Sequence, residues 1–312
     1  MQGMIRTVNG DIFPHEAGVT YSHEHLIWSP PEPFASEEPD FVMLDKNKAI
    51  TEVKNFASIG GKTIVEMTTM ELNRNPIVLA EISRACNVNI IAATGFNKAK
   101  FSKKITEILS INEIADLMIK DLTVGMDSTS VKAGVIKASS SMNVITVEEK
   151  KVFIAASKAH LETGAPISTH TEGGTMAAEQ VEILTQNGVH PSRILIGHLD
   201  RNLDFEYILS IAQLGVMLGF DQVGKHKYAP DEERIKIIKR LVDTGFENQI
   251  LLSGDMARRS SWKSYSGSSA IGLSYLLQSF VPAMLEAGIP EQVANKIMRH
   301  NPARFFAWTW QA

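Results

Sequence analysis

The chain has 312 residues, of which 44% are hydrophobic and 21% are charged. This ordinary globular composition excludes the disordered, collagen-like and low-complexity classes of protein. The chain has 31 Lys and Arg residues and 35 Asp and Glu residues, which gives a formal net charge of −4. No run of basic residues forms the positive patch that would bind nucleic acid or an anionic membrane. We therefore expect a small molecule as the partner.

The single cysteine, Cys86, excludes an intrachain disulfide framework and a zinc site built from cysteines. The first 13 residues contain no apolar signal region, and no apolar run approaches the roughly 20 residues that span a bilayer. These features lead us to expect a soluble, cytoplasmic protein.

Short β-rich apolar runs alternate with stretches of helical periodicity, a pattern typical of βα units around a parallel sheet. The predicted strands are 18–26, 61–69, 88–96, 133–140, 164–171, 193–200, 215–223 and 249–256. The predicted helices are 45–58, 75–86, 104–121, 146–163, 174–187, 203–213, 231–245 and 269–287, with a further one at 290–300. Length alone allows two domains, but eight strands each followed by a helix predict an α/β fold, a TIM (β/α)8 barrel, as one domain over residues 1–312.

Two segments are too long for tight turns between a strand and a helix. Residues 27–41 contain four prolines, and residues 260–272 are rich in polar and aromatic side chains. TIM barrels place substrate contacts on long loops of this kind, so we expect both loops to lie over one mouth of the barrel.

Several titratable residues lie at or near the carboxyl ends of predicted strands. They are His23, His25, Lys137, His170, His198 and Asp255. In a parallel barrel these ends share one face, so the pattern predicts six metal ligands that converge there. A lone histidine in an apolar strand is more often a hydrogen-bonded core residue, but the joint placement favours a metal site. The other histidines, His15, His160, His190, His226 and His300, are expected on the surface.

Two of these residues have alternative interpretations. Inside an apolar strand, Lys137 either forms an ion pair with Glu66 or has a lowered pKa that lets its neutral amine capture carbon dioxide as a carbamate. Asp255 is either the N-cap of a helix or both a metal ligand and the proton acceptor of a hydrolytic step.

The sequence resembles the phosphotriesterase family of the amidohydrolase superfamily along essentially its whole length. The resemblance rests on VTYSHEHL, AGVIKAS, ISTHT, IGHLD and SGDM. It implies a binuclear centre in which His23, His25 and Asp255 bind the more buried metal, and His170 and His198 the more exposed one. Carboxylated Lys137 and a hydroxide would bridge the two cations. Zinc, manganese, cobalt and iron all suit these ligands, and we expect zinc.

The strand-end loops narrow the substrate class. Homoserine lactonases of the family usually carry Tyr and Arg at the positions of Asn97 and Gln222, so both residues argue against an acyl-homoserine lactone and are themselves expected to contact substrate. The segments FDQVGKHKY and DMARRS resemble the phosphofuranose lactonase branch. This resemblance implies that Lys225, Tyr228 and Arg258 bind a phosphate. Whether the nearby cations touch substrate or form a solvated rim stays open for Lys98, Lys100, Lys227 and Arg259.

The expected reaction is hydrolysis of a phosphorylated sugar 1,4-lactone. A metal-bridging hydroxide would attack the carbonyl carbon, and Asp255 would pass its proton to the leaving ring oxygen. The alternatives are a carboxylesterase or phosphotriesterase of the same family and, in another class, a barrel that binds a phosphosugar without catalysis. A homodimer stays open as an assembly.

Overall fold

A parallel sheet whose strand order follows the chain forms the centre of the molecule. The computed structural model describes residues 3–309. Strands β1 (Ile5–Thr7) and β2 (Gly10–Ile12) form an antiparallel hairpin before the sheet. The eight sheet strands are β3 (Val19–Glu24), β4 (Gly61–Glu66), β5 (Asn89–Gly95), β6 (Val135–Ser140), β7 (Ile167–Thr171), β8 (Ile194–Gly197), β9 (Met217–Phe220) and β10 (Ile250–Leu252).

Helices surround this sheet. They are α1 (Phe34–Glu37), α2 (Lys46–Ser58), α3 (Pro76–Cys86), α4 (Ala99–Thr106), α5 (Ile111–Thr123), α6 (Val147–Thr163), α7 (Ala177–Gln186), α8 (Phe205–Gln213), α9 (Asp231–Asp243), α10 (Lys263–Ser266), α11 (Val281–Glu286), α12 (Glu291–Asn295) and α13 (Asn301–Phe306). Two π-helical segments, Leu276–Phe280 and Lys296–His300, lead into α11 and α13. No helix in residues 3–309 is long and apolar enough to cross a membrane.

The predicted barrel is confirmed, since all eight sheet strands lie inside the predicted runs. Asp255 N donates to His23 O at 3.1 Å, and Ser22 Oγ donates to Leu252 O at 3.1 Å. These bonds join the carboxyl end of β10 to β3. The last strand therefore lies beside the first, as barrel closure requires.

Some helix boundaries were wrongly predicted, and one strand pair was missed. The expected helix 104–121 is two helices, because Ser110 Oγ accepts the Glu113 amide while Glu113 Oε2 accepts the Ser110 amide, a capping box that starts α5. The expected helix 269–287 begins only at Leu276, since the preceding residues belong to the long loop. The β1–β2 hairpin was not predicted.

The barrel interior is filled by side chains that alternate along the strands. The packed residues include Val65, Ile91, Val135, Leu195 and Leu251, and Phe305 and Phe306 belong to the same apolar cluster. The aromatic carboxyl-terminal segment thus covers one end of the barrel core, while residues 310–312 lie outside the described part. Lys137 follows Val135 by two residues and therefore points into the same interior.

A fully buried arginine fixes the long connection between β9 and α9. Arg234 Nε donates to Asp200 Oδ2 at 2.9 Å, and Arg234 Nη1 donates to Asp231 Oδ1 at 3.1 Å and to Ala229 O at 2.6 Å. Asp231 in turn accepts the Gly224 amide at 3.1 Å. The loop at residues 223–230 is therefore held at both ends.

Replacing Arg234 by Met leaves two buried carboxylates without their guanidinium. We expect the free energy of unfolding, measured by urea denaturation, to fall by about 3–5 kcal/mol. Arg240→Met, on the exposed face of the same helix, is the matched control and should change stability by less than about 0.5 kcal/mol. Equal stability of the two variants would contradict a stabilising role for the network.

Candidate metal centre and substrate cavity

The histidines and the aspartate predicted as ligands meet at the carboxyl end of the barrel. Asp255 Oδ1 lies 4.0 Å from His23 Nε2 and 3.7 Å from His25 Nε2. The ring centroid of His198 lies 4.7 Å from that of His23 and 4.5 Å from that of His170. Five side chains from the carboxyl ends of four strands, β3, β7, β8 and β10, therefore form one continuous cluster.

Hydrogen bonding fixes which nitrogen of His25 faces the cluster. The Thr68 hydroxyl donates to Glu66 Oε1 at 2.5 Å, so its oxygen is left to accept the proton on His25 Nδ1 at 2.8 Å. The lone pair of His25 Nε2 then points toward Asp255. Partners of this kind orient metal-binding imidazoles.

Asp221 fixes the orientation of His198 by binding its Nδ1 atom. Its Oδ1 lies 2.6 Å from His198 Nδ1, and its Oδ2 accepts the His198 amide at 3.0 Å. Nε2 of His198 is then left as the electron-pair donor. Among the described residues, two groups have the spacing to hold a cation, namely His23, His25 and Asp255, and His23, His198 and Asp221. Because both Asp221 oxygens already bind His198, we take Asp221 as an orienting residue.

Buried imidazoles without hydrogen-bond partners show that the cluster fits a metal. Within residues 3–309, neither ring nitrogen of His23 nor Nε2 of His170 has a partner. Burial first, then the charge of Lys137, lowers the pKa of His23 well below its usual value and that of His25 to about 3. Burial also lowers the pKa of His170 well below its usual value. Neutral imidazole nitrogens beside a carboxylate are a donor set for a divalent transition metal.

Lys137 lies in the barrel interior with 1% exposure, and its Nζ donates to Met67 O at 2.9 Å. Glu66, the alternative ion-pair partner, instead accepts Thr68 and the Leu26 amide. Burial lowers the pKa of Lys137 despite nearby carboxylates, of which Asp255 acts most strongly. A lowered pKa favours the neutral amine that carbamate formation needs.

Asp255 is held as a carboxylate. Its Oδ2 accepts Lys225 Nζ at 2.6 Å and Gln222 Nε2 at 3.0 Å. Burial would raise the pKa of Asp255, but the charges of Lys225, His198 and His25 together with the hydrogen bond from Lys225 outweigh burial and hold the pKa well below its usual range. Asp255 has a left-handed backbone with φ of 44° and caps no helix.

A cavity of about 130 Å³ opens beside the histidines. Its lining residues are Phe41, His170, His198, Arg201, Gln222, Lys225, Lys227, Tyr228, Asp255, Ala257, Arg258 and Ser261. Both long loops predicted to lie over the mouth contribute, through Phe41 and Ser261. The lining carries four cations and one carboxylate, in contrast to the net charge of −4 of the whole chain.

Four of the five predicted substrate residues line this cavity, namely Gln222, Lys225, Tyr228 and Arg258. The fifth, Asn97, is absent from the lining, and its side-chain oxygen accepts the Lys98 amide at 2.7 Å. Substrate binding by these residues stays a prediction.

The cations left open by the sequence divide into two groups. Lys227 lines the cavity. The other three cations are not among the lining residues and have partners elsewhere. Lys98 pairs with Glu172, Lys100 Nζ lies 4.6 Å from the Phe34 ring centroid, and Arg259 Nε donates to Val42 O.

Sequence reasoning missed Asp221 and Arg201. Asp221 lies near the carboxyl end of the predicted strand 215–223 and directly follows β9, so its strand-end position was an available signal. Arg201 lies three residues after His198 in GHLDR and was visible only as one surface arginine among others. Among the histidines expected on the surface, four are exposed, but His160 is buried and its Nδ1 lies 2.7 Å from Ala165 O.

Comparison with known proteins gives consistent matches. The model of the phosphotriesterase family matches residues 3–306. A phospho-furanose lactonase of Mycoplasmopsis synoviae is 35% identical over 97% of this chain and 91% of its own. The structure of a lactonase from Listeria monocytogenes has a TM-score of 0.93 and 37% identity, covering 98% of this chain and all of its own. A phosphotriesterase homology protein of Escherichia coli, solved with phosphate in its active site, has a TM-score of 0.89 and 34% identity over 93% of this chain and 99% of its own.

Asp221→Asn tests the orientation of His198. The neutral amide still reaches the imidazole but no longer offers it a charged acceptor, so we expect metal affinity to fall by about 10-fold to 100-fold. Chelator competition followed by elemental analysis measures the affinity. Asp243→Asn, which removes an exposed carboxylate paired with Lys239, is the control. Unchanged affinity in Asp221→Asn would contradict the orienting role.

Proposed function

The chain belongs to the phosphotriesterase family, and on this premise we propose that it is a metal-dependent hydrolase that opens a phosphorylated sugar 1,4-lactone. The observation that carries the proposal is the cavity itself, where unpartnered imidazoles adjoin a lining with four cations against one carboxylate. The imidazoles suit metal-assisted hydrolysis, and the excess positive charge suits an anionic substrate.

We propose that the site holds two divalent cations, with zinc as the native metal. His23, His25 and Asp255 would hold one cation and His170 and His198 the other, with Lys137 joining them as a carbamate. The depressed pKa of the buried amine supports the carbamate. When bound, the cations polarise a carbonyl group and lower the pKa of water toward about 7.

The two carboxylate oxygens of Asp255 face different groups and would have different roles. Oδ1 faces His23 and His25, which suits a metal ligand, whereas Oδ2 faces Lys225 and Gln222. As water attacks the carbonyl carbon, Oδ2 accepts its proton and then donates it to the ring oxygen when the ring C–O bond breaks. The products are the hydroxyl and carboxylate of the open-chain acid, and the second proton of the water is released to solvent.

The lactone assignment is supported by the phospho-furanose lactonase and lactonase among the relatives. Phosphate bound in the active site of the Escherichia coli relative supports an anion site in this cavity. A neutral ester or phosphotriester, the alternative within the family, would bring no negative charge to Arg201 and Lys227, whereas Lys225 and Arg258 already lie beside carboxylates. A non-catalytic phosphosugar-binding barrel would not need two equivalents of metal.

Lys137→Ala removes the group proposed to join the cations. We expect the variant to lose bound metal and hydrolytic activity together, because the buried site then has no bridging oxygens. Short carboxylic acids added in solution should restore part of both by supplying the missing carboxylate. Elemental analysis and rate measurements on the same samples provide the test, and a variant that keeps both metals would contradict the bridge.

Asp255→Asn tests the proton acceptor. The amide retains a carbonyl oxygen for the metal but cannot take up a proton, so we expect kcat to fall by about 100-fold to 10,000-fold. The measurement is kcat at saturating substrate in protein shown to hold two metals. Retention of wild-type kcat under that condition would reduce Asp255 to a ligand and require another proton carrier.

A pair of lactones that differ only in a 5-phosphate tests the substrate class. If the cavity cations bind the phosphate, kcat/KM should favour the phosphorylated lactone by about 100-fold, or about 2.7 kcal/mol, within the range of one or two charge-assisted hydrogen bonds. Proton release follows the reaction for both compounds. Equal values would contradict the phosphate assignment and favour the carboxylesterase alternative.

A further inference from the structure

A fully buried glutamate binds the backbone on both sides of Asp255. Glu24 is the last residue of β3 and has 0% exposure. Its Oε1 accepts the Gly254 amide at 2.7 Å and Ser253 Oγ at 2.8 Å, and its Oε2 accepts the Met256 amide at 2.8 Å. Three donors from residues 253–256 therefore converge on one carboxylate.

The donors fix the chemical nature of the side chain that they surround. No ion pair within residues 3–309 involves Glu24, so hydrogen bonds alone offset the burial of its charge. Because all three partners are donors, both oxygens of Glu24 have to act as acceptors. A carboxylate meets this requirement, whereas a side-chain amide of the same shape presents one acceptor and one donor.

The backbone of Asp255 has a conformation that needs support from its surroundings. Its φ of 44° lies in the left-handed region, which residues other than glycine rarely adopt. Such a conformation persists only where neighbouring contacts fix it. Here the Asp255 amide donates to His23 O at 3.1 Å, while the amides before and after it bind Glu24. Two adjacent residues of β3 thus hold three consecutive amides of this turn.

The same strand fixes both members of one proposed ligand pair. Side chains alternate along a strand, so His23 and Glu24 point to opposite faces of β3. His23 Nε2 lies 4.0 Å from Asp255 Oδ1, while Glu24 binds the turn that carries Asp255. A change in this turn would move the carboxylate relative to the histidine. A misplacement of about 1 Å can lower a reaction rate by about 100-fold.

We infer that Glu24 is the positioning residue of Asp255, because it holds the turn at residues 253–256 in the conformation that places the Asp255 carboxylate between His25 and Lys225. The inference rests on the proposed function, which gives Asp255 its role in hydrolysis. Glu24 is not among the residues that line the cavity. It acts only through the backbone that carries Asp255.

Glu24→Gln is the test variant, because glutamine keeps the shape but directs an NH2 group at a backbone N–H. Glu52→Gln is the matched control. Glu52 is also 0% exposed and accepts two backbone amides of the loop after β10, those of Ser264 at 2.6 Å and Leu273 at 3.3 Å, neither of which adjoins the proposed metal ligands. Ser253→Ala, which removes one of the three bonds, is the second test variant should Glu24→Gln not fold.

Three measurements are made on each metal-loaded variant. The first is kcat and KM on the phosphorylated lactone, determined for each substitution alone and combined with Asp255→Asn. The second is the free energy of unfolding from urea denaturation. The third is a crystal structure, which gives the separation of Asp255 Oδ1 and His25 Nε2 relative to wild type.

We expect Glu24→Gln to lower kcat by about 10-fold to 100-fold and to leave KM within about threefold of wild type, because the substrate still binds but meets a displaced carboxylate. Ser253→Ala should lower kcat by about threefold to 10-fold. Combined with Asp255→Asn, Glu24→Gln should lower kcat by less than about threefold further, since the effects of residues that act through one another are not additive. Glu52→Gln should lose stability but keep kcat within about threefold of wild type, and Asp255 should move only in Glu24→Gln.

The outcomes separate the positioning role from the proposed function. If wild type hydrolyses the lactone and Glu24→Gln loses only stability, as Glu52→Gln does, the positioning role is overturned and the proposed function stands. An equal loss of kcat with and without Asp255→Asn would also overturn it, and the same criteria apply to Ser253→Ala. If wild type hydrolyses no lactone but Asp255 moves in Glu24→Gln alone, the positioning role stands and the proposed function falls. No hydrolysis and no movement would overturn both.

Discussion

The structure depends on one costly arrangement, the burial of imidazoles at the carboxyl end of the barrel without hydrogen-bond partners. Each unsatisfied buried polar group costs about 1–3 kcal/mol, and His23 alone has two such nitrogens. Desolvation keeps these imidazoles neutral, with the pKa of His25 at about 3. The proposed divalent cations would turn this cost into coordination bonds, and this explains the hydrogen-bond partners that surround the histidines. Thr68 and Asp221 each occupy the far nitrogen of a histidine, so that the near nitrogen is free.

Buried ion pairs link the proposed metal ligands to the loop at residues 223–230. Asp200 accepts the amides of Asp221 and Gln222 at 3.3 and 3.0 Å and also binds Arg234. Through Arg234 and Asp231 the same ion network fixes the loop at residues 223–230, which carries Lys225, Lys227 and Tyr228. One buried arginine therefore supports both Asp221, which binds His198, and three residues that line the cavity. Because one ion network holds both parts of the site, the proposed metal centre and the cavity cations would keep a fixed distance from each other, as a substrate with a reacting carbonyl and an anionic end requires.

Patterns of period two and positions at strand ends made much of this predictable. The eight strands, the convergence of His23, His25, His170, His198 and Asp255, and the burial of Lys137 all follow from residue type and position along parallel strands. Features set by tertiary contacts did not follow. Sequence alone does not show that Arg258 is engaged by Glu38 and Asp40, more than 200 residues away, or that Arg201 lies on Tyr228 without a carboxylate. The capping box at Ser110 was a local signal of a helix start, but helical periodicity continues across this position and concealed the break between the two helices.

Metal stoichiometry and position in crystals of the whole chain test the central claim most directly. Elemental analysis should find two divalent cations per chain, and anomalous scattering should place one within about 2.0–2.2 Å of His23, His25 and Asp255 atoms and the other at the same distance from His170 and His198. A single cation on the competing set of His23, His198 and Asp221, or no cation at this end of the barrel, would contradict the binuclear site.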